Sequence, residues 1–338
     1  MKKENQTDTD ILKETEVQAD TPEKEKKKLG YKIHLGIGAA ILLVIIVAVI
    51  RLIIWNNRNS VVEPTGHEDE FETEVVDYYA YSNSHPERRG ADGKKRAVVL
   101  GNYMVDDGGE HSIINMMRDK LPDWDIEDLS AELSMVSSVK HENEGYETRD
   151  GVCLFNMARA LCKDGDDIRY ELGAFPGYTR EDLDEYVKRL QSVDLSEKDV
   201  LIIMYAFLDY YNDVVITYVQ DYFITTYHGA FYRAIEMLQE KYPDLEIIIA
   251  SGFPMYLKNS DGSLQLGYNT SFTQGTLSDY FGWEYFLSTK YCLSFIDNYY
   301  YGITENNITE YVDEQRLTDK GIDLVGGHIT DYLKKYVK

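Results

Sequence analysis

From residue 97 onward the chain alternates short apolar runs with amphipathic stretches. AVVLG (97–101), DVLIIMYA (199–206) and EIIIASG (246–252) are unbroken blocks of apolar residues. Such blocks, lacking an in–out alternation, predict strands buried on both faces. DIEDL (125–129), DIRYELG (167–173) and YCLSFI (291–296) carry weaker strand signals. Between them lie HSIINMMRDKL (111–121), LFNMARALC (154–162), TREDLDEYVKRL (179–190), GAFYRAIEMLQEKY (229–242) and LTDKGIDLVGGHITDYLKKY (317–336). These place apolar residues at helical spacing. A threonine and early acids open 179–190, and lysines close 317–336, as caps and the helix dipole favour. Strands alternating with helices predict a parallel sheet covered on both faces. Ligands of such sheets bind beyond the carboxyl ends of the strands. Here those ends read GNY, GAFPGYT, AFLDYYN and SGFPMY.

The pattern upstream is different. Residues 35–55, LGIGAAILLVIIVAVIRLIIW, hold Arg51 as their only charge. About 20 apolar residues span a bilayer core, so this segment is expected to be a transmembrane helix. Arg51 can snorkel to the headgroups and Trp55 can anchor the interface. A cleaved signal peptide is the rival reading, but it predicts a shorter apolar core and a small-residue cleavage site, which IIWNNRN lacks. The lysine-rich stretch before the span (KEKKKLGYK) and the acidic stretch after it place the N-terminus in the cytoplasm and the rest outside. The domain organisation that follows is a cytoplasmic tail over 1–34, the span over 35–55, an acidic extracytoplasmic tether over 56–96, and a folded domain over 97–338. Both 1–34 and 56–96 are polar enough to be expected disordered, with DYYAY as the one sticky spot in the tether.

Charge and cysteine usage narrow the function. Lys plus Arg total 35 against 59 Asp plus Glu, a formal net charge of −24. Nearly all of it falls on residues 97–338, which excludes a nucleic-acid partner, since phosphate binding needs a basic face. Cys153 and Cys162 lie nine apart on one predicted helix, on opposite faces and too far apart to bridge. Neither a zinc-ligand spacing nor a phosphate-binding glycine fingerprint occurs, and no cofactor is expected. The 28 tyrosines suit packing first and a sugar- or partner-binding surface second.

Taken in order, the strand ends resemble the blocks of the SGNH (GDSL-type) hydrolase superfamily over most of residues 97–338. VVLGNY stands where that family has a strand leading into Gly-Asp-Ser. GAFPGYT (173–179) matches its second block, and DIEDLSAELSMVSS (125–138) is the other candidate, with Leu133 then in place of the glycine. YAFLDYY (205–211) stands at the Gly-x-Asn-Asp block. KYPDLEIIIASGFPMY (241–256) resembles the following helix–strand–proline segment, and DEQRLTDKGIDLV (313–325) the closing Asp-x-x-His and helix. The resemblance implies a flavodoxin-like three-layer α/β/α sandwich with a parallel sheet.

The chemistry implied by the resemblance is not carried by these residues. The nucleophilic serine falls on Tyr103 and the aspartate before it on Asn102. The oxyanion glycine is matched by Gly177, but the oxyanion asparagine falls on Leu208, with Asp209 after it kept. The last block keeps Asp313 and replaces its histidine with Arg316. A serine nucleophile needs a base beside it, and a guanidinium stays protonated. A leucine donates no hydrogen bond to an oxyanion. Asp313 and Arg316 are expected to form a salt bridge in place of the Asp–His pair. Arg316 beside Tyr103 would favour a phenolate nucleophile, whereas packing is the plainer role for the ring. Ser112 and Ser251 have no visible base partner. His328 is expected to face solvent or the sheet, and His111 to sit in a solvated acidic loop. The expectation is therefore a membrane-anchored, non-hydrolytic domain for recognition or scaffolding. Asn102, Tyr103, Tyr178, Asp209, Tyr210 and Arg316 would line its binding face. The resemblance suggests a cell-surface glycan or a membrane acyltransferase as partner. The alternatives are an active carbohydrate esterase or O-acyltransferase with a non-standard nucleophile, and a purely structural surface protein.

Overall fold

A computed structural model describes residues 74–80, 92–106, 109–138, 152–163, 180–217 and 223–337. All belong to the unit Glu72–Lys338; the unit Met1–Phe71, with the apolar segment 35–55, lies outside them. Among the described residues no helix is long and apolar enough to cross a membrane.

Among the described residues, five parallel strands form the centre: β1 (Lys95–Gly101), β2 (Trp124–Asp128), β3 (Val200–Met204), β4 (Glu246–Ala250) and, after a small hairpin, β7 (Ser294–Ile296), in the order β2-β1-β3-β4-β7. The apolar runs set this order. Every residue of β3 is buried, as a central strand with both faces covered requires. Gly101, Met204, Ala250 and Ile296 lie in register across four strands, so the sheet's carboxyl ends form one rim. Gly101 is fixed by close approach: a Cβ there would lie 2.1 Å from the Met204 carbonyl oxygen.

Helices cover both faces. α1 (Ile113–Lys120) packs with the C-terminal helix on one side. On the other, α2 (Leu154–Cys162) packs against α3 (Arg180–Ser192) and α5 (Tyr227–Lys241). The short α4 (Leu208–Tyr211) follows β3. The hairpin β5 (Tyr256–Lys258) and β6 (Leu264–Leu266) precedes α6 (Leu277–Lys290), which contacts α5 and β7. The chain closes with α7 (Ile308–Tyr311), the two-residue ladder β8 (Val312–Asp313) and β9 (Arg316–Leu317), and α8 (Asp319–Tyr336). The strand expected over 167–173 lies outside the described residues. Ser112 caps α1 by accepting from the Asn115 amide, and Thr318 caps α8 through the Gly321 amide. None of the three cysteines is in a disulfide; Cys153 and Cys162 are buried and Cys292 is exposed.

Residues 74–80, assigned by sequence to a disordered tether, are docked on the domain instead. Tyr78 and Phe295 exchange backbone hydrogen bonds of 2.9 and 2.7 Å, adding an antiparallel strap to the open edge of β7. The Tyr332 hydroxyl donates to the Tyr78 carbonyl at 2.7 Å. Tyr79 stacks on Tyr336. The sheet edge, the Tyr332 hydroxyl and a ring contact with Tyr336 hold this stretch on the domain.

Candidate functional site

The rim beyond β1 is built from Asn102 outward. Asn102 is fully buried, and its amide bridges three segments. Nδ2 donates to the Ser134 and Ala206 carbonyls at 3.2 and 3.1 Å, and Oδ1 accepts from the Met104 and Ala206 amides at 3.2 and 3.0 Å. Two donors and two acceptances use the whole capacity of the side chain. Asn102 is thus a bracket between the ends of β1 and β3 and the loop after β2, with nothing left to offer a ligand.

Tyr103 follows, its amide donating to the Glu132 carbonyl at 2.9 Å. Its ring is 7% exposed and its hydroxyl lies 3.9 Å from Met255 Sδ. The β8–β9 ladder sets Asp313 opposite Arg316 and carries the guanidinium over Tyr103, 4.9 Å from the ring centre. That guanidinium donates to Glu132 Oε1 at 2.9 Å. The expected ion partner was Asp313; the observed one is Glu132, from the loop 129–138 that follows β2. What remains of a cleft, between Tyr103, Ser112, Ile113, Arg316 and Ile322, has a volume of about 10 Å3, scarcely room for one water. Burial drives the Tyr103 pKa well above its ordinary value, and the Arg316 charge opposes this only in part. The phenol therefore stays protonated at neutral pH and is a poor nucleophile.

The other sequence-marked residues point inward. Leu208 opens α4 and is buried. Asp209, also buried, accepts from the Val136 and Ser137 amides at 2.9 Å each and from the Ser137 hydroxyl. It staples the loop 129–138 to α4. Burial raises its pKa, with those three hydrogen bonds opposing. Tyr210 is buried among Phe272 and Tyr280 and donates to the Thr270 carbonyl at 3.0 Å. Tyr211 donates to the Tyr256 carbonyl at 3.1 Å. Gly177 and Tyr178 lie outside the described residues, while the loop 129–138, part of the other candidate for the second block (125–138), runs directly over Asn102 and Tyr103.

No alternative catalytic set forms among the described residues at this rim. Ser251 Oγ accepts from the Asn298 and Tyr299 amides and donates to the Gly252 carbonyl, as a buried knot does. The Ser112 hydroxyl caps α1. His111 pairs with Asp323 at 3.3 Å on the surface. His328 is buried and engaged with Asp77 and Asn298 rather than with solvent. Two contributors escaped sequence reasoning. Glu132 gave no signal beyond its place in the 125–138 stretch, and Met255 none beyond following the proline after β4.

No protein-family model matches the sequence, and no curated protein matches it. Solved structures do. One covers 72% of this chain and 97% of its own at 13% identity, with a TM-score of 0.51. A protein from Lactobacillus plantarum covers 72% and 98% at 16% identity, with a TM-score of 0.49. A protein from Bacteroides ovatus assigned as a GDSL-like lipase covers 72% and 99% at 10% identity, with a TM-score of 0.43. Such distant identities speak for the fold alone. That fold is a parallel sheet in the order β2-β1-β3-β4-β7 with helices on both faces.

Proposed function

We propose that this chain is a membrane-anchored, extracytoplasmic protein whose SGNH-like domain does not hydrolyse esters and serves as a scaffold or recognition module at the cell envelope. One observation carries the reading. At Tyr103, the position the resemblance aligns with the family nucleophile, stands a buried ring capped by the Arg316–Glu132 pair, with about 10 Å3 left beside it. An acyl group has no room there. Leu208 offers no side-chain donor to an oxyanion, and losing one such donor typically removes about 2.7–4 kcal/mol of transition-state stabilisation. The filled cleft favours scaffolding, through the outer surface, over capture of a ligand inside the cleft. The anchor rests on the apolar run 35–55 and its basic cytoplasmic flank. A role beside a membrane acyltransferase or a surface glycan rests on fold analogy.

The test uses the purified full-length chain and a fluorophosphonate probe, with adducts located by mass spectrometry. The expected result is no site-specific adduct on the native protein, and labelling at position 103 in the Tyr103→Ser/Leu208→Asn/Arg316→His variant. A specific adduct on the native protein would overturn the reading and name the nucleophile of an active esterase or acyltransferase.

A further inference from the structure

We infer that residues 74–80 form a detachable strap whose hold on the domain is governed by the protonation of His328. The ring of His328, from α8, is nearly buried, with 7% of the side chain exposed. Nε2 lies 2.9 Å from Asp77 Oδ2 on the strap, and Nδ1 lies 3.1 Å from Asn298 Oδ1 behind β7. The orientation of that amide is set independently, because Asn298 Nδ2 donates to the Ser251 carbonyl at 2.9 Å. Both ring nitrogens therefore face oxygen acceptors. A neutral imidazole carries one N–H and can satisfy only one of them; the imidazolium satisfies both. The ring also lies flat on Tyr301, at 3.6 Å and 2°, a good seat for a cation.

The charges around the ring are arranged to use that proton. Asp77 Oδ1 accepts from the Asp297 amide at 2.9 Å, and the Asp297 carboxylate accepts from the Val76 amide at 2.9 Å. The two acids thus hold the strap from both sides, and their mutual repulsion is offset by the imidazolium between strap and helix. Lys335 on α8 adds a weaker attraction to Asp77, Tyr332 beside it is neutral, and Lys120 of α1 approaches Gly327 next to the ring. When His328 loses its proton, one hydrogen bond and the ion pair go together, and the two acids face each other without a cation between them. The protonated ring serves both oxygens and the neutral ring only one, so docking weakens when high pH strips the proton from the ring. Release leaves the outer edge of β7 unpaired, a surface open to strand addition.

Hydrogen exchange on the full-length chain in detergent micelles tests this, with rates corrected for intrinsic pH dependence. The reporters are the Tyr78 and Phe295 amides, which close the strap ladder. Their protection is expected to fall about tenfold or more between about pH 6 and pH 8.5, while the amides of β1 and β3 keep theirs. His328→Gln is expected to abolish the pH response and leave the strap poorly protected throughout. Asp77→Asn, on the strap itself, gives the same loss of response and stands in if the helix variant does not fold. Strap protection that is independent of pH in the native chain, or a His328→Gln profile matching the native one, would overturn the inference.

Discussion

Glu246 stands at the start of β4, where its carboxyl is largely buried and accepts from Ser294 Oγ at 3.1 Å. Burial pushes its pKa up to about 7, against smaller downward pulls from the Ser294 hydrogen bond and the Lys95 charge. The folded chain therefore holds this proton where the unfolded chain has released it. Its contribution to stability is complete below about pH 4.5 and is lost as pH rises through 7. Thermal unfolding from about pH 5 to pH 8 should show Glu246→Gln flattening this limb, the variant gaining on the native chain toward the alkaline end. His228 works the other way. Burial, with the nearby Lys290 charge, lowers its pKa to about 4, so its contribution is lost as pH falls below 6.5. At this scale the sequence told which groups stand at the rim, but not what they touch. Tyr103, Leu208 and Arg316 stood out in the sequence only through the family resemblance. That Arg316 would reach Glu132 rather than Asp313 was not, because the partner lies 184 positions away and is brought there only by the loop after β2.

Gly101 and α6 mark the two extremes of what could be read at the level of elements. The strand ending at Gly101 was plain, since a β-favouring apolar run stops at the one residue that lets backbone approach backbone. Adding a methyl group there drives a Cβ into the Met204 carbonyl and must part β1 from β3. Gly101→Ala should cost on the order of 3 kcal/mol in denaturant unfolding. A change within about 0.5 kcal/mol would show that the rim can relax around it. By contrast, α6 gave no helical signal. Its buried face is Leu277, Tyr280, Phe281, Glu284 and Leu287, but Trp283, Tyr285 and Phe286 put aromatic rings on the remaining faces and erase the stripe. Its start is better marked, because Thr276 and Asp279 form a reciprocal capping box. The strap was missed for a related reason. Its polar surroundings read as linker, and its edge partner, β7, is more than two hundred residues further on.

For the whole molecule, alternation of strands and helices was enough to give a parallel, doubly covered sheet. Pattern carried this because buried strands and one-faced helices admit few arrangements. The state of the cleft could not be read, because residue types alone say nothing about whether a void is left. The packing answers it: the slot is occupied by the tyrosine itself, held between Met255 and Arg316. That occupancy turns the domain into a host whose guest is covalently attached. Tyr103→Ala should detach the guest and leave an aromatic-sized hole in an otherwise rigid frame, at a cost of about 3–5 kcal/mol. A free phenol such as p-cresol has the shape to take the vacated place, and engineered cavities of this kind do accept aromatic molecules. Added p-cresol should then raise the melting temperature of Tyr103→Ala in a saturable manner and leave that of the native chain unchanged.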